Sequence, residues 1–284
     1  MRKEGGVSYV ASVAMKIAGS TISYTRKNLA EALGGIASLG FKYVDLLMME
    51  NWAHINPSEI AEAPQKQAEQ VGDLLNQYNL TAIGINGNVS HPLNSQVPAE
   101  IENNQKQTEG LIRFAQMLSI PVVVLQPGRV SGEIGADAAM EASIRALRSI
   151  VPIALEHGVT LTIEPHVNSL AERYDDALRF VNAVPGLKLA YDPSHFVMAD
   201  YNLAASEVLL PHTAHVHLRN AVVGNFQAPM AEGILDFEWM LAALDRNEYS
   251  DAIAIEYIDG RNTAIEPDIL ALKQLLESRY LPKS

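Results

Sequence analysis

The sequence predicts an α/β protein built as a single (β/α)8 TIM barrel over residues 1–284, and three observations predict it. Eight short apolar runs alternate with eight amphipathic stretches along the whole chain. No Gly/Ser-rich linker or shift in composition divides them. The rival architecture, a doubly wound sheet, usually carries a GxGxxG phosphate turn after an early strand, and no such turn occurs.

Val10–Ala18 predicts the first strand. Asn28–Ser38 predicts a helix, with Leu29, Leu33, Ile36 and Ala37 on one face and Gly40 as its stop. Tyr43–Met49 is apolar except for Asp45 and reads as the second strand. Pro64–Tyr78 reads as a helix with proline in its first turn. Leu80–Ile85 reads as a strand that opens into a polar loop. Ala99–Leu118 then predicts a helix, and the β-branched run Pro121–Leu125 a strand buried on both faces. Ala138–His157 predicts the next helix and Val159–Ile163 the fifth strand. Asp175–Ala183, Lys188–Asp192, Ala204–Leu210, His215–Arg219, Phe237–Arg246, Ala252–Tyr257 and Glu266–Ser278 complete the alternation of helix and strand.

At 284 residues and 48% hydrophobic, the chain can bury a large core. Its 33 acidic against 21 basic residues leave a formal charge of −12, which a phosphate backbone repels. No nucleic-acid partner is therefore expected. Cysteine is absent, which removes disulfides and thiolate ligation. The N-terminal MRKEGGVSYVASVAMKIAG reads as a lead-in to the first strand and not as a signal peptide, because Glu4 and Lys16 interrupt its apolar pattern. No apolar run reaches the ~18 residues that a membrane span needs. The expectation is a cytoplasmic protein without a membrane partner; a homo-oligomer is compatible with everything in the sequence.

Chemistry concentrates at strand ends. In GVTLTIEPH, alternation places Thr160, Thr162 and Glu164 on one face and Val159, Leu161 and Ile163 on the other. The next three strands end alike: LKLAYDPSH in Asp192, HVHLR with His217 and AIAIEY in Glu256. Barrel active sites lie at the C-terminal ends of the strands. Two Glu, one Asp and one imidazole there suit one divalent ion of the Mn²⁺, Mg²⁺ or Co²⁺ kind, and the lack of cysteine does not exclude zinc. Any one acid at a strand end is more often a loop residue or a helix cap; four in register are harder to dismiss. The same parity puts His215, His217 and Arg219 on one inward face. His217 is then the ligand, His215 a hydrogen-bonded core histidine, and Arg219 either a partner for a substrate carboxylate or oxyanion or half of a rim ion pair. His91, after the third strand, could meet substrate hydroxyls. Trp52 and His54, after the second, could wall a pocket, and Arg129 is a candidate for a phosphate or carboxylate. Each of these has a plain loop role as its alternative.

The motifs VTLTIEPH, LAYDPSH, HVHLR, AEGILDF and IAIEY resemble those of the xylose isomerase-like barrel superfamily of sugar phosphate isomerases and epimerases. SLGFKYVDL resembles its first helix-to-strand turn, with Asp45 where Glu is more usual. The resemblance spans nearly the whole chain. It implies metal ligation by Glu164, Asp192, His217 and Glu256, and proton transfer by Glu164 and Glu256 through an enediolate of a keto-sugar or related polyol. It implies a substrate contact for His195 and places Gly233 in the turn before the seventh helix. The family's HxKD is HLRN here, with Arg219 and Asn220 in place of a lysine and an acid, which disfavours a second metal. Glu164-Pro-His166-Val-Asn168 also resembles 3-dehydroshikimate dehydratases of this fold. That implies a lyase acting on dehydroshikimate or an inosose, with His166 moving a proton; otherwise His166 contacts substrate or supports the site. A non-catalytic sugar-binding barrel is the third reading, and the intact ligand set speaks against it.

Overall fold

The computed structural model describes residues 15–130, 135–260 and 264–281. β1 (Lys16–Ser20) lies parallel to β2 (Tyr43–Met49), and a two-residue antiparallel strand, β3 (Ala53–His54), hangs from the end of β2. β4 (Thr81–Asn88), β5 (Val122–Leu125), β6 (Thr160–Ile163), β7 (Lys188–Tyr191), β8 (Thr213–Leu218) and β9 (Ala252–Ile255) follow. Each is parallel to its neighbours, and β9 returns to β1, so eight parallel strands close into a barrel. Closure leaves no unpaired barrel edge.

Outside the barrel lie α1 (Leu29–Ser38), α2 (Pro57–Glu62), α3 (Pro64–Gln77), α4 (Pro98–Met117), α5 (Ala136–Glu156), α6 (Tyr174–Ala183), α7 (Pro193–Met198), α8 (Phe237–Arg246) and α9 (Glu266–Tyr280). α1 starts on a capping box, in which the Asn28 side chain accepts from the Glu31 amide and Glu31 reaches back to the Asn28 amide. Leu33, Ile36, Phe114, Leu147 and Phe180 are among the residues that helices bury against the outer face of the strands.

Four expectations shift. Residues 10–14 of the predicted first strand lie outside the described residues, and the strand that is described runs on to Ser20. The predicted helix over Ala204–Leu210 is a 3-10 segment over Leu203–His212 that contains Pro211. Proline has no amide hydrogen to continue an α-helical ladder. Strand Leu80–Ile85 starts one residue later and extends to Asn88. β3, α2 and α7 have no counterpart in the periodicity, because two- and six-residue elements are too short to show one.

The barrel lumen is graded along its axis. Small and aliphatic inward residues fill its N-terminal end: Ala18, Ile83, Ala252 and Ala254 in one cluster, Val122, Val124 and Ala190 in another. Further along the strands, toward their C-terminal ends, the inward positions become polar, with Asp45, Asn86, Glu164, Asp192, His217 and Glu256 all buried. A register shift between Val44 and Asp45 sets Asp45 opposite Gly84 of β4.

Candidate metal centre

β6, β8 and β9 each deliver one side chain to a common point. His217 Nδ1 lies 2.8 Å from Glu164 Oε1 and 3.6 Å from Glu256 Oε2. All three residues are buried, and their ligand atoms lie within 4.8 Å of one another. A neutral side chain braces each glutamate: Gln126 Nε2 donates to Glu164 Oε2 at 3.1 Å, and Asn86 Nδ2 donates to Glu256 Oε1 at 2.6 Å. Two hard oxygens and an imidazole nitrogen, held in place by neighbours, fit a divalent cation of the kind expected.

Asp192 reaches this point through an intermediary. Its Oδ1 caps α7 by accepting from the Ser194 amide at 2.8 Å, and its Oδ2 accepts from Arg219 Nη2 at 2.6 Å. Arg219 Nη1 donates to Glu256 Oε2 at 2.9 Å, and Nε donates to Ser194 Oγ and the Phe226 carbonyl. The guanidinium is 3% exposed, with the Phe226 ring 4.8 Å away. Its donors are thus taken by protein groups, with two of the four predicted ligands among them, and it does not face the cleft as a free anion receptor.

The charges in this closed space act on one another. Burial would raise the Glu164 carboxyl, but the hydrogen bond and charge of His217 outweigh it and hold Glu164 well below the usual carboxylate range. Burial dominates at Glu256 and pushes it up to about 7, against the pull of His217 and Arg219 and with the help of the Glu164 and Asp192 charges. Burial would lower His217; Glu256, Asp45 and Glu164 hold it well above its ordinary value. Burial lowers His195 to about 4, so its ring is neutral near pH 7. The two glutamates are driven apart in proton affinity, as in sites that pair a base with an acid.

A cavity of about 380 Å³ opens beside the centre, lined among others by Ser90, His91, Gln126, Arg129, His166 and Asn168. Gln126 links it to Glu164. The His166 and His195 rings are 4.0 Å apart, and both can converge on Glu164. His195 is buried with Nδ1 free of any hydrogen-bond partner. His91 lies 3.6 Å from Glu100. Trp52, 47% exposed on the β2–β3 turn, is not among the residues lining the cavity, and His54 turns inward so that Nε2 meets the Thr21 carbonyl at 3.0 Å. Gly233 packs against the Asn220 side chain with no room for a Cβ. Asn220 in turn accepts from Ala221 and Leu235 amides and donates to the Met230 carbonyl, so it clasps the loop before α8.

Sequence reasoning misses Asn86, Gln126 and Ser194. The first two stand directly at the ends of apolar runs, the same signal that singles out the acids. The signal carries less weight for them because amides at strand ends rarely do chemistry.

A family model described as the xylose isomerase-like TIM barrel matches residues 34–276. Among curated proteins, none matches the chain. The fold resembles D-allulose 3-epimerase from Methylomonas sp. in complex with D-allulose, at a TM-score of 0.74 and 18% identity over 95% of this chain and 100% of that one. It resembles a protein described as the probable 3-DHS dehydratase of petrobactin synthesis from Bacillus anthracis, at 0.71 and 18% over 93% and 100%. It also resembles a xylose isomerase-like TIM barrel protein from Mycobacterium smegmatis in complex with magnesium, at 0.73 and 16% over 93% and 97%. At these identities the likeness is one of fold.

Proposed function

The chain belongs to the xylose isomerase-like TIM barrel family, and we propose that it is a divalent-metal-dependent isomerase or epimerase of a keto-sugar or related polyol. The observation that carries this reading is the convergence of three buried side chains, Glu164, His217 and Glu256, at the C-terminal ends of β6, β8 and β9.

Glu164, His217 and Glu256 would hold the ion, with Asp192 tied to the same centre through Arg219. Mn²⁺, Mg²⁺ or Co²⁺ suits these donors, and zinc is not excluded. Such an ion, when bound, polarises a carbonyl and offsets charge that develops on oxygen. The other roles fall to the protein. Glu164, aimed by Gln126, takes the proton from the carbon beside the carbonyl. Glu256, steadied by Asn86 and Arg219, supplies one to the opposite face or to the adjacent carbon. Positioned groups of this sort contribute ~10²–10⁴-fold in rate. His195, buried behind His166, would steady that ring at the cavity wall, and the cavity beside His91 and His166 accommodates a sugar-sized molecule. Arg219 acts by holding carboxylates and not by binding substrate. Trp52 stands outside the cavity and would reach only a substrate that extends past its rim.

One observation favours a lyase instead: His166 lies against His195 at the cavity wall, close enough to Glu164 to carry a second proton. The binding of D-allulose by one structural neighbour and the dehydratase description of another support the two readings in turn. A screen of keto-sugars, inososes and dehydroshikimate with Mn²⁺ in deuterated water separates them. An isomerase or epimerase incorporates solvent deuterium at carbon. A lyase loses water and generates a new absorbing product. If no compound exchanges or dehydrates, the proposed chemistry is wrong.

A further inference from the structure

His217 presents Nδ1 to Glu164 and Glu256, so its other ring nitrogen points back into the barrel. There Nε2 is fully buried and has no hydrogen-bond partner. The acid it faces is Asp45 on β2, whose Oδ2 lies 3.8 Å away. Asp45 is itself fully buried; the same oxygen accepts from His215 Nε2 at 2.8 Å, and Oδ1 has no partner. His215 and His217, two residues apart on one inward face of β8, meet edge to face with ring centroids 4.9 Å apart. A layer of one carboxylate and two imidazoles therefore lies directly beneath the candidate metal centre.

Space for this layer comes from Gly84. A Cβ there would fall 2.5 Å from Asp45 Oδ2 and 3.0–3.1 Å from the His215 ring. Any side chain at 84 would push the carboxylate off the histidines.

A histidine that ligates through Nδ1 carries its remaining proton on Nε2, and a carboxylate facing that N–H favours this tautomer, here by its charge at 3.8 Å and not through a hydrogen bond. We propose that Asp45 is a positioning residue for the metal centre, selecting the Nε2–H tautomer of His217 so that its Nδ1 lone pair faces Glu164 and Glu256. The inference rests on the metal-dependent reading above and deepens it. Asp45 touches neither substrate nor ion; it acts through His217.

The test reads binding and spectroscopy, not turnover. Asp45→Asn should weaken Mn²⁺ binding, followed by calorimetry, by about 10- to 100-fold, with the circular dichroism spectrum retained. Asp45→Glu, which restores a carboxylate, should recover most of the loss. In ¹⁵N-histidine-labelled parent loaded with Mg²⁺, the His217 Nε2 proton should be slow to exchange and shifted downfield by the facing carboxylate, a signature that Asp45→Glu retains. This measurement needs no Asp45→Asn protein, so it decides the matter even where that variant fails to fold. A His217 Nε2 proton with the shift and exchange of an imidazole that faces no carboxylate, or an Asp45→Asn protein that binds Mn²⁺ as tightly as the parent, overturns the inference alone. Two ions per chain, one of them lost with Asp45, would make the layer a second metal site and also overturn it. A parent chain that binds no Mn²⁺ overturns the metal reading, and this inference falls with it.

Discussion

Glu256 answers to four neighbours at once: Asn86 and Arg219 by hydrogen bond, His217 and Glu164 by charge. Because Asn86 donates to one of its oxygens, a glutamine there keeps that bond while losing the transferable proton. Glu256→Gln is expected to lower deuterium exchange ~10²–10⁴-fold and, because it breaks the buried pair with Arg219, to lower the melting temperature as well; undiminished metal-dependent exchange would mean that the two-carboxylate mechanism is wrong. His217 supplies a second prediction. Its carboxylate neighbours hold it protonated above its ordinary range, and a metal must displace the Nδ1 proton. Mn²⁺ affinity should therefore rise with pH through neutrality and level off only above the raised pKa, with protons released on binding. Calorimetry in buffers of different ionisation enthalpy counts them, and a pH-independent affinity would show that His217 is not a ligand.

At the scale of elements, α7 and the loop before α8 hold the site's rim. Asp192 caps α7 and pairs with Arg219 in the same gesture. Asparagine is as good a cap as aspartate, so Asp192→Asn isolates the ion pair. Losing one partner of a buried pair costs about 3–5 kcal/mol, and the low end is expected because Glu256 still faces Arg219; urea denaturation measures it. An effect no larger than that of an exposed charge would mean that the Arg219 bridge contributes little. Gly233→Ala should cost about 1–3 kcal/mol by overpacking against Asn220 and should loosen the 228–235 loop. The barrel strands and the helices of ten residues or more are legible in the sequence to within a few positions, the helices because each repeats its apolar period and the strands because each is a compact apolar run. α7 is not: its starting signal, Asp192-Pro193, reads equally well as a strand end followed by a turn.

The whole molecule carries a formal charge of −12 and concentrates buried carboxylates at one end of the barrel. Bound cation and fold should therefore reinforce each other. Saturating Mn²⁺ at 100 times its Kd adds about 2.7 kcal/mol, several degrees of Tm by scanning calorimetry, and EDTA should reverse it. In the metal-free protein, Asp45 and Glu164 are held below their unfolded values. Their contribution is complete above the unfolded carboxylate range, near pH 4, and is lost as pH falls below it. His217 has the opposite sign: its contribution is complete below its unfolded value and lost as pH rises through the raised one. Glu256, raised to about 7, has the same sign as His217, so the urea midpoint of the metal-free protein should hold or rise as pH falls from neutrality and drop only below about pH 4; no drop down to about pH 3 would mean that Asp45 and Glu164 are not depressed.

The sequence alone determined the barrel, the polar ends of its last four strands and the inward parity of His215, His217 and Arg219, because periods of two and 3.6 residues are local properties of the chain. Tertiary structure decided who pairs with whom. Asn86 meets Glu256, and Asp45 meets His215, each across 170 residues. Barrel closure and the β2–β4 register shift bring them together, and no spacing in the chain encodes either. From sequence Arg219 stands equally as a partner for a substrate anion and as half of a rim ion pair; the folded barrel surrounds it with Asp192, Ser194 and Glu256, a brace for the site's own carboxylates.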